Sequence, residues 1–166
     1  MQDALFTSKT EHWCTPEEFL VPLRKMGLIG LDPCSNPQST VGAMKNFCFP
    51  EDNGLLLPWG GYGGQTYVNP PYGRKLMAWS DKIVHEAKLL VPIVALTPAR
   101  TDTKWCQQLL NACTEALFWK GRLKFIDPEN PGKQQSAPFP SLVTYFGEDP
   151  KNFQSAFSSN GIFMSR

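Results

Sequence analysis

The stretch Thr66-Tyr67-Val68-Asn69-Pro70-Pro71-Tyr72-Gly73 decides the fold. Its first residues are β-formers, and the run ends in two prolines. A helix interior does not tolerate that pair, and a central strand does not continue through it. The pattern predicts a strand over 66–69 that stops at its carboxyl end, where open α/β sheets place their ligands. There Asn69 offers an amide oxygen, Pro70 a carbonyl on a backbone without its own N–H, and Tyr72 a flat aromatic face. Two acceptors beside a stacking platform suit a planar group carrying an exocyclic NH₂. A rigid turn between two elements is the plainer reading of the same string, and the rest of the chain has to choose between them.

Working outward, a helix is predicted over 74–88 from Leu76, Met77, Trp79, Ile83, Val84 and Ala87. The apolar run Leu89–Leu96 predicts a strand that stops at Thr97-Pro98. A helix over 102–112 and a strand over 115–119 follow. Gly121-Arg122-Leu123-Lys124-Phe125 heads a loop rich in proline and glycine, and Ser141–Phe146 reads as the final strand. Towards the amino terminus, Thr15-Pro16-Glu17-Glu18 opens a helix with a hydroxyl cap, a proline at the first helical position and acids in the first turn. Pro22 bends that helix and Gly27 ends it. Leu28–Asp32 reads as a buried strand ending in a carboxylate and Pro33. Asn46–Phe49 reads as a short strand, and Glu51-Asp52-Asn53-Gly54 as a turn. Residues 1–12 are polar and expected to be loose. The alternation of helices and strands predicts a three-layer α/β fold with a mainly parallel sheet.

Length and composition bound the function. The 166 residues suit one domain, residues 13–166, and 42% hydrophobic content suits a packed core. The net charge of +1 does not announce a polyanion partner, although a local basic face is enough for one. Five cysteines with no Cys-x-x-Cys pair, and only two histidines, argue against a zinc site and against a disulfide framework. Reduced thiols in a cytoplasmic protein are the simplest reading, and Cys34 is read as a small buried residue. No signal-peptide pattern, membrane span or obligate protein partner is expected.

The tetrapeptide Asn69-Pro70-Pro71-Tyr72 resembles the catalytic signature of amino-methyltransferases that use S-adenosylmethionine (AdoMet) and release S-adenosylhomocysteine. Trp13-Cys14-Thr15-Pro16, Leu31-Asp32-Pro33-Cys34-Ser35 and the tetrapeptide occur in the order found in DNA adenine methyltransferases whose cofactor half comes first. Further segments extend the likeness over nearly the whole chain: Glu51-Asp52-Asn53-Gly54-Leu55 with Trp59, Thr97–Trp105, Gly121–Phe125 and Ala137-Pro138-Phe139-Pro140-Ser141. The chain therefore resembles the compact phage-type DNA N6-adenine methyltransferase family. The glycine-rich cofactor loop of larger methyltransferases is replaced here by Asp32-Pro33-Cys34-Ser35-Asn36-Pro37.

The resemblance implies a Rossmann-like domain, AdoMet as cofactor without a metal, and DNA as partner. It implies catalytic roles for Asn69, Pro70, Pro71 and Tyr72, and cofactor contacts from Trp13, Thr15, Pro16, Asp32, Pro33 and Ser35. Asp52 either meets the cofactor's adenosine or is an exposed turn acid. Arg100 and Lys104 are candidates for phosphate, and Arg122, Lys124 and Phe125 for an extruded base and its flanking phosphates. The bland alternative for the last three is a core ring and two solvated cations. The same tetrapeptide also serves enzymes acting on RNA guanine or protein glutamine, and a catalytically silent DNA-binding module is a third reading.

Overall fold

The computed structural model describes Trp13 to Ser165; the loose segment expected over residues 1–12 lies outside the described residues. Among them a seven-stranded sheet runs in the order β2-β1-β3-β4-β8-β5-β9. Its strands are β1 (Ile29–Ser35), β2 (Lys45–Cys48), β3 (Gln65–Val68), β4 (Ile93–Pro98), β5 (Glu115–Trp119), β8 (Ser141–Phe146) and β9 (Gly161–Ser165). A separate hairpin pairs β6 (Lys124–Asp127) with β7 (Asn130–Ser136). The helices are α1 (Glu17–Lys25), α2 (Leu76–Lys88), α3 (Lys104–Ala112) and α4 (Pro150–Ala156).

Alternation along the central strands sorts their side chains to two faces. In β4, Val94 and Leu96 join Phe19, Leu20 and Leu23 of α1 and Phe153 of α4. Ile93 and Ala95 join Trp79 and Ile83 of α2 and Trp105 and Leu109 of α3. Every residue of β3, β4 and β8 is buried, as sheet covered on both faces requires. The α/β/α layering follows from these two clusters.

The sheet is more mixed than expected. β1 pairs in parallel with β2 and β3, and β3 with β4, but β4–β8, β5–β8 and β5–β9 are antiparallel. Five strands point one way, and β8 and β9 run against them. Four local expectations are corrected as well. β1 does not stop at Asp32-Pro33 but continues to Ser35, with an irregular register against β2 between Asp32 and Ser35 that accommodates the proline's missing donor. Thr15 does not cap α1: Pro16 holds the cap position with no side-chain cap bond. The proline-rich segment after Gly121 is not an open loop but contains the β6–β7 hairpin. Ser141–Phe146 is not the last strand, because α4 and β9 follow it. No helix among the described residues is long and apolar enough to cross a membrane.

Candidate active site

β1 lies between β2 and β3. From β1 the chain moves outward to β2, then returns across to β3, so the strand order reverses there. At such a reversal sheets of this kind place their ligands outside the carboxyl ends of the strands, here β1 and β3. Asp32 and Ser35 come from β1, and Asn69 to Tyr72 leave the end of β3.

Asp32 is 3% exposed. Burial is the main cause that raises its carboxyl to about 7; hydrogen bonds from the Cys34 N–H and the Ser35 hydroxyl pull part of that back. The Ser35 hydroxyl also reaches Asn46 Oδ1 at 3.0 Å and, with one proton, serves one acceptor at a time. The described ion pairs join Arg24 to Glu17, Lys45 to Asp52 and Lys82 to Glu86, so among the described residues no cation pairs with Asp32. Its charge is felt by the thiols of Cys14, Cys34 and Cys48 and by the Tyr67 hydroxyl, all raised above their ordinary values chiefly by burial. Asp32 is thus a buried acid whose neighbours stay neutral.

The Thr15 hydroxyl is bonded to the buried Tyr67 hydroxyl at 2.7 Å, which ties the segment before α1 to β3. Cys14 reaches the chain beyond β1, donating from its thiol towards the Gln38 carbonyl at 3.5 Å. Trp13 is half-buried against the α1-side core. Thr15, Pro16, Asp32, Pro33 and Ser35 are all buried, so this wall is preformed.

On the other wall the Tyr72 hydroxyl donates to Asn69 Oδ1 at 2.8 Å. That bond turns the amide so that its oxygen is fixed, and the oxygen keeps a second lone pair for another donor. Pro70 is buried, while Asn69, Pro71 and Tyr72 are half-buried. The Tyr72 ring stands edge-on to Phe139 at 5.2 Å and to Phe125 at 6.5 Å between centroids. The Arg100 guanidinium lies over the Phe139 ring at 5.7 Å.

The remaining sequence candidates fall at the rim or in the core. Asp52 pairs with Lys45 at 3.4 Å in the turn after β2. Lys104, Arg122 and Lys124 are exposed, and Phe125 is 6% exposed, closer to a core ring than to an open stacking face. Sequence reasoning passed over Arg74 and Lys75, which are exposed and follow the tetrapeptide. The positions make a pattern: Arg74 and Lys75 follow β3, Arg100 and Lys104 follow β4, and Arg122 and Lys124 follow β5. These three strands run in one direction, so topology brings the cations to the same end of the sheet as Asn69. Phe139 was also passed over as a site residue, although its segment carried the resemblance. Among the described residues no group of His, Cys, Asp and Glu is arranged to hold a metal.

The domain is a three-layer α/β fold that carries an Asn-Pro-Pro-Tyr turn and a buried acid at its strand reversal. The comparison with known families narrows this: residues 2–160 match the family described as DNA N-6-adenine-methyltransferase (Dam), and the chain belongs to that family. A similar curated protein is the DNA N-6-adenine-methyltransferase of Haemophilus phage HP1 (strain HP1c1). It is 28% identical over 126 residues, covering 73% of this chain and 67% of the relative. No solved structure matches.

Proposed function

We propose that this protein transfers a methyl group from AdoMet to N6 of adenine in DNA, within one Rossmann-like catalytic domain spanning residues 13–166. The observation that carries this reading is the pair of half-sites at the strand reversal: the Asn69–Tyr72 turn at the end of β3 and, within β1, the buried Asp32, with which no cation among the described residues pairs. Family membership supports the adenine target. The strand order, with antiparallel β8 inserted between like-directed β4 and β5, supports the Rossmann-like assignment.

The residues of the first wall fit AdoMet. A buried carboxyl without a counter-charge complements a cationic ligand, and AdoMet is cationic at its ammonium and sulfonium. Asp32 would hold that cationic end, with Thr15, Pro16, Pro33 and Ser35 around it and Trp13 at the edge. When bound, AdoMet supplies an electrophilic methyl group. Asp52, already paired with Lys45, is placed at the rim of this region rather than inside it.

The second wall prepares the nucleophile. The N6 lone pair of adenine is delocalised into the ring, which makes the nitrogen a poor nucleophile. Asn69 Oδ1 and the Pro70 carbonyl accept hydrogen bonds from the N6 hydrogens. Those bonds favour a pyramidal nitrogen and strengthen as positive charge grows on it, so they act mainly on the transition state. With its lone pair freed in this way, the nitrogen would accept in a direct displacement the methyl that bound AdoMet supplies, and the N6 proton would pass to solvent water. Pro71 locks the turn that presents Pro70. The base is extruded from the duplex to reach this turn, with Tyr72 as its stacking surface. The cations after β3, β4 and β5, including Arg100, Lys104, Arg122 and Lys124, face the phosphates. Phe125 acts from behind, as an edge-on support for Tyr72.

Tritiated AdoMet offered separately to DNA, RNA and protein tests the reading. Label in DNA, recovered as N6-methyladenine, is the expected result. Label only in RNA or protein would move the activity to another amino group, and label nowhere would leave a silent binding module.

A further inference from the structure

β7 is exposed at every residue from Asn130 to Ser136, whereas β6 is anchored to the body. Cys14 and Ile126 exchange both backbone hydrogen bonds at 3.0 Å, the Lys124 N–H donates to Glu18 Oε1 at 3.2 Å, and Phe125 is buried. The hairpin is thus fixed along one strand and presents the other to solvent. Its register settles which side chains share a face. Phe125 stands opposite Gln135, and Ile126 opposite Gln134. Opposite residues point to the same side of a ribbon, and neighbours to alternate sides. Gln135 therefore lies on the face that carries Phe125, and Phe125 touches the edge of Tyr72. Gln134 lies on the other face.

Lys124 stands at the root of the ribbon with the phosphate-facing cations, but the ribbon as a whole has no net charge, because Lys124 and Lys133 are offset by Asp127 and Glu129. It is rich instead in amides that both donate and accept. A two-stranded ribbon enters the major groove, about 12 Å wide, and glutamine there matches the N6/N7 edge of adenine. Seven residues at about 3.3 Å each make β7 long enough to cross that groove.

We propose that the β6–β7 hairpin reads the bases flanking the target, with Gln135 as the side chain that makes the base-edge contact. The inference rests on the DNA-methylating reading above. The test is methylation of a DNA pool with randomised sequence, followed by sequencing of the methylated molecules. Wild type, Gln135→Ala and Gln134→Ala are compared, with circular dichroism confirming the fold of each. Wild type is expected to favour a defined context, and Gln135→Ala to lose about tenfold of the discrimination at one flanking position, the scale of one bidentate contact. Gln134→Ala is expected to keep the wild-type context. An unchanged context in Gln135→Ala, equal loss in Gln134→Ala, or a wild type that methylates all contexts alike overturns the hairpin assignment while leaving DNA methylation standing. Absence of DNA methylation by wild type overturns the underlying reading instead.

Discussion

At the carboxyl ends of β1 and β3 the sheet gathers Asp32, Ser35, Tyr67, Asn69 and Tyr72. At the amino ends of β3 and β4 it gathers Trp59, Tyr62, the four glycines at 60, 61, 63 and 64, Leu89 and Leu90 around a cavity of about 200 Å³. The two ends share strands but not chemistry. Beside that cavity Glu86 is buried and satisfied within the chain: Lys82 meets it at 2.6 Å and the Trp59 N–H donates to it at 3.2 Å. At the carboxyl end no cation among the described residues pairs with Asp32, and Asn69 keeps a spare lone pair. The contrast teaches that open volume does not mark a site here. On the proposed reading, unspent acceptor capacity at the strand reversal does.

The largest effect expected is on Asn69→Ala. Loss of one preorganised hydrogen-bonding group at a developing charge costs about 10²–10³ in turnover. AdoMet affinity measured by calorimetry should stay at the wild-type value, because the role proposed for Asn69 is towards the acceptor. Undiminished turnover would remove the carboxyl end as the place of chemistry. Gly30→Ala is its counterpart near the amino end. A Cβ on Gly30 would overlap the Gly63 carbonyl oxygen, which is backbone and cannot swing aside as the end of a flexible side chain does. Overpacking of this kind costs about 1–3 kcal/mol or more. Urea titration should show that loss, while the folded fraction keeps its turnover per molecule. A drop in turnover without a drop in stability would mean that the amino end takes part in catalysis.

The sequence made the two ends legible to different degrees. Asn69-Pro70-Pro71 was readable because proline punctuates strands without help from tertiary contacts. Asp32-Pro33 misled for the same reason, since a register irregularity lets β1 carry its proline. Thr15 looked like a cap because the local sequence cannot show Tyr67, fifty-two residues away, competing for the hydroxyl. The β6–β7 hairpin was hidden because strand patterns record burial, and Asn130–Ser136 buries nothing. α4 had a usable signal in Asp149-Pro150, where the Asp149 side chain accepts from the Asn152 N–H at 3.0 Å and the proline holds the first turn.

Asp32 sharpens the comparison through pH. Its carboxyl, raised to about 7, keeps its proton in the folded protein between about 4 and 7, where the unfolded chain has lost it. Its contribution to the stability of the cofactor-free protein is therefore fully present below about pH 4 and is lost as pH rises through 7. A cationic ligand needs the ionised form, so if Asp32 holds AdoMet as proposed, binding below pH 7 expels one proton. Affinity should rise about tenfold per pH unit from 5.5 towards 7 and then level off. The neighbouring thiols and Tyr67 stay neutral in that window. Calorimetry across this range on wild type and Asp32→Asn checks it: the variant should bind more weakly, with no slope. A sloping Asp32→Asn profile would assign the proton to another group.

The smallest effect is expected at Leu90. This residue lines the amino-end cavity, is 81% exposed, and holds a left-handed backbone with φ of 63°. Leucine has a Cβ that crowds the following carbonyl in that conformation, at about 1–2 kcal/mol, whereas asparagine visits it more readily. Little apolar contact is at stake, because the side chain is already in water. Leu90→Asn should therefore stabilise the protein by less than about 1 kcal/mol, raising the melting temperature by roughly 2–4 °C at most for a chain of this size. Turnover and AdoMet affinity should not move. The result matters because it separates two uses of the amino end: if the cavity were a ligand site, a polar side chain at its mouth would change affinity or rate. A variant that is slightly more stable and equally active leaves that end as scaffold. A variant that loses activity while gaining stability would show that the strain at Leu90 serves function, and the two ends of the sheet would have to be read as one site.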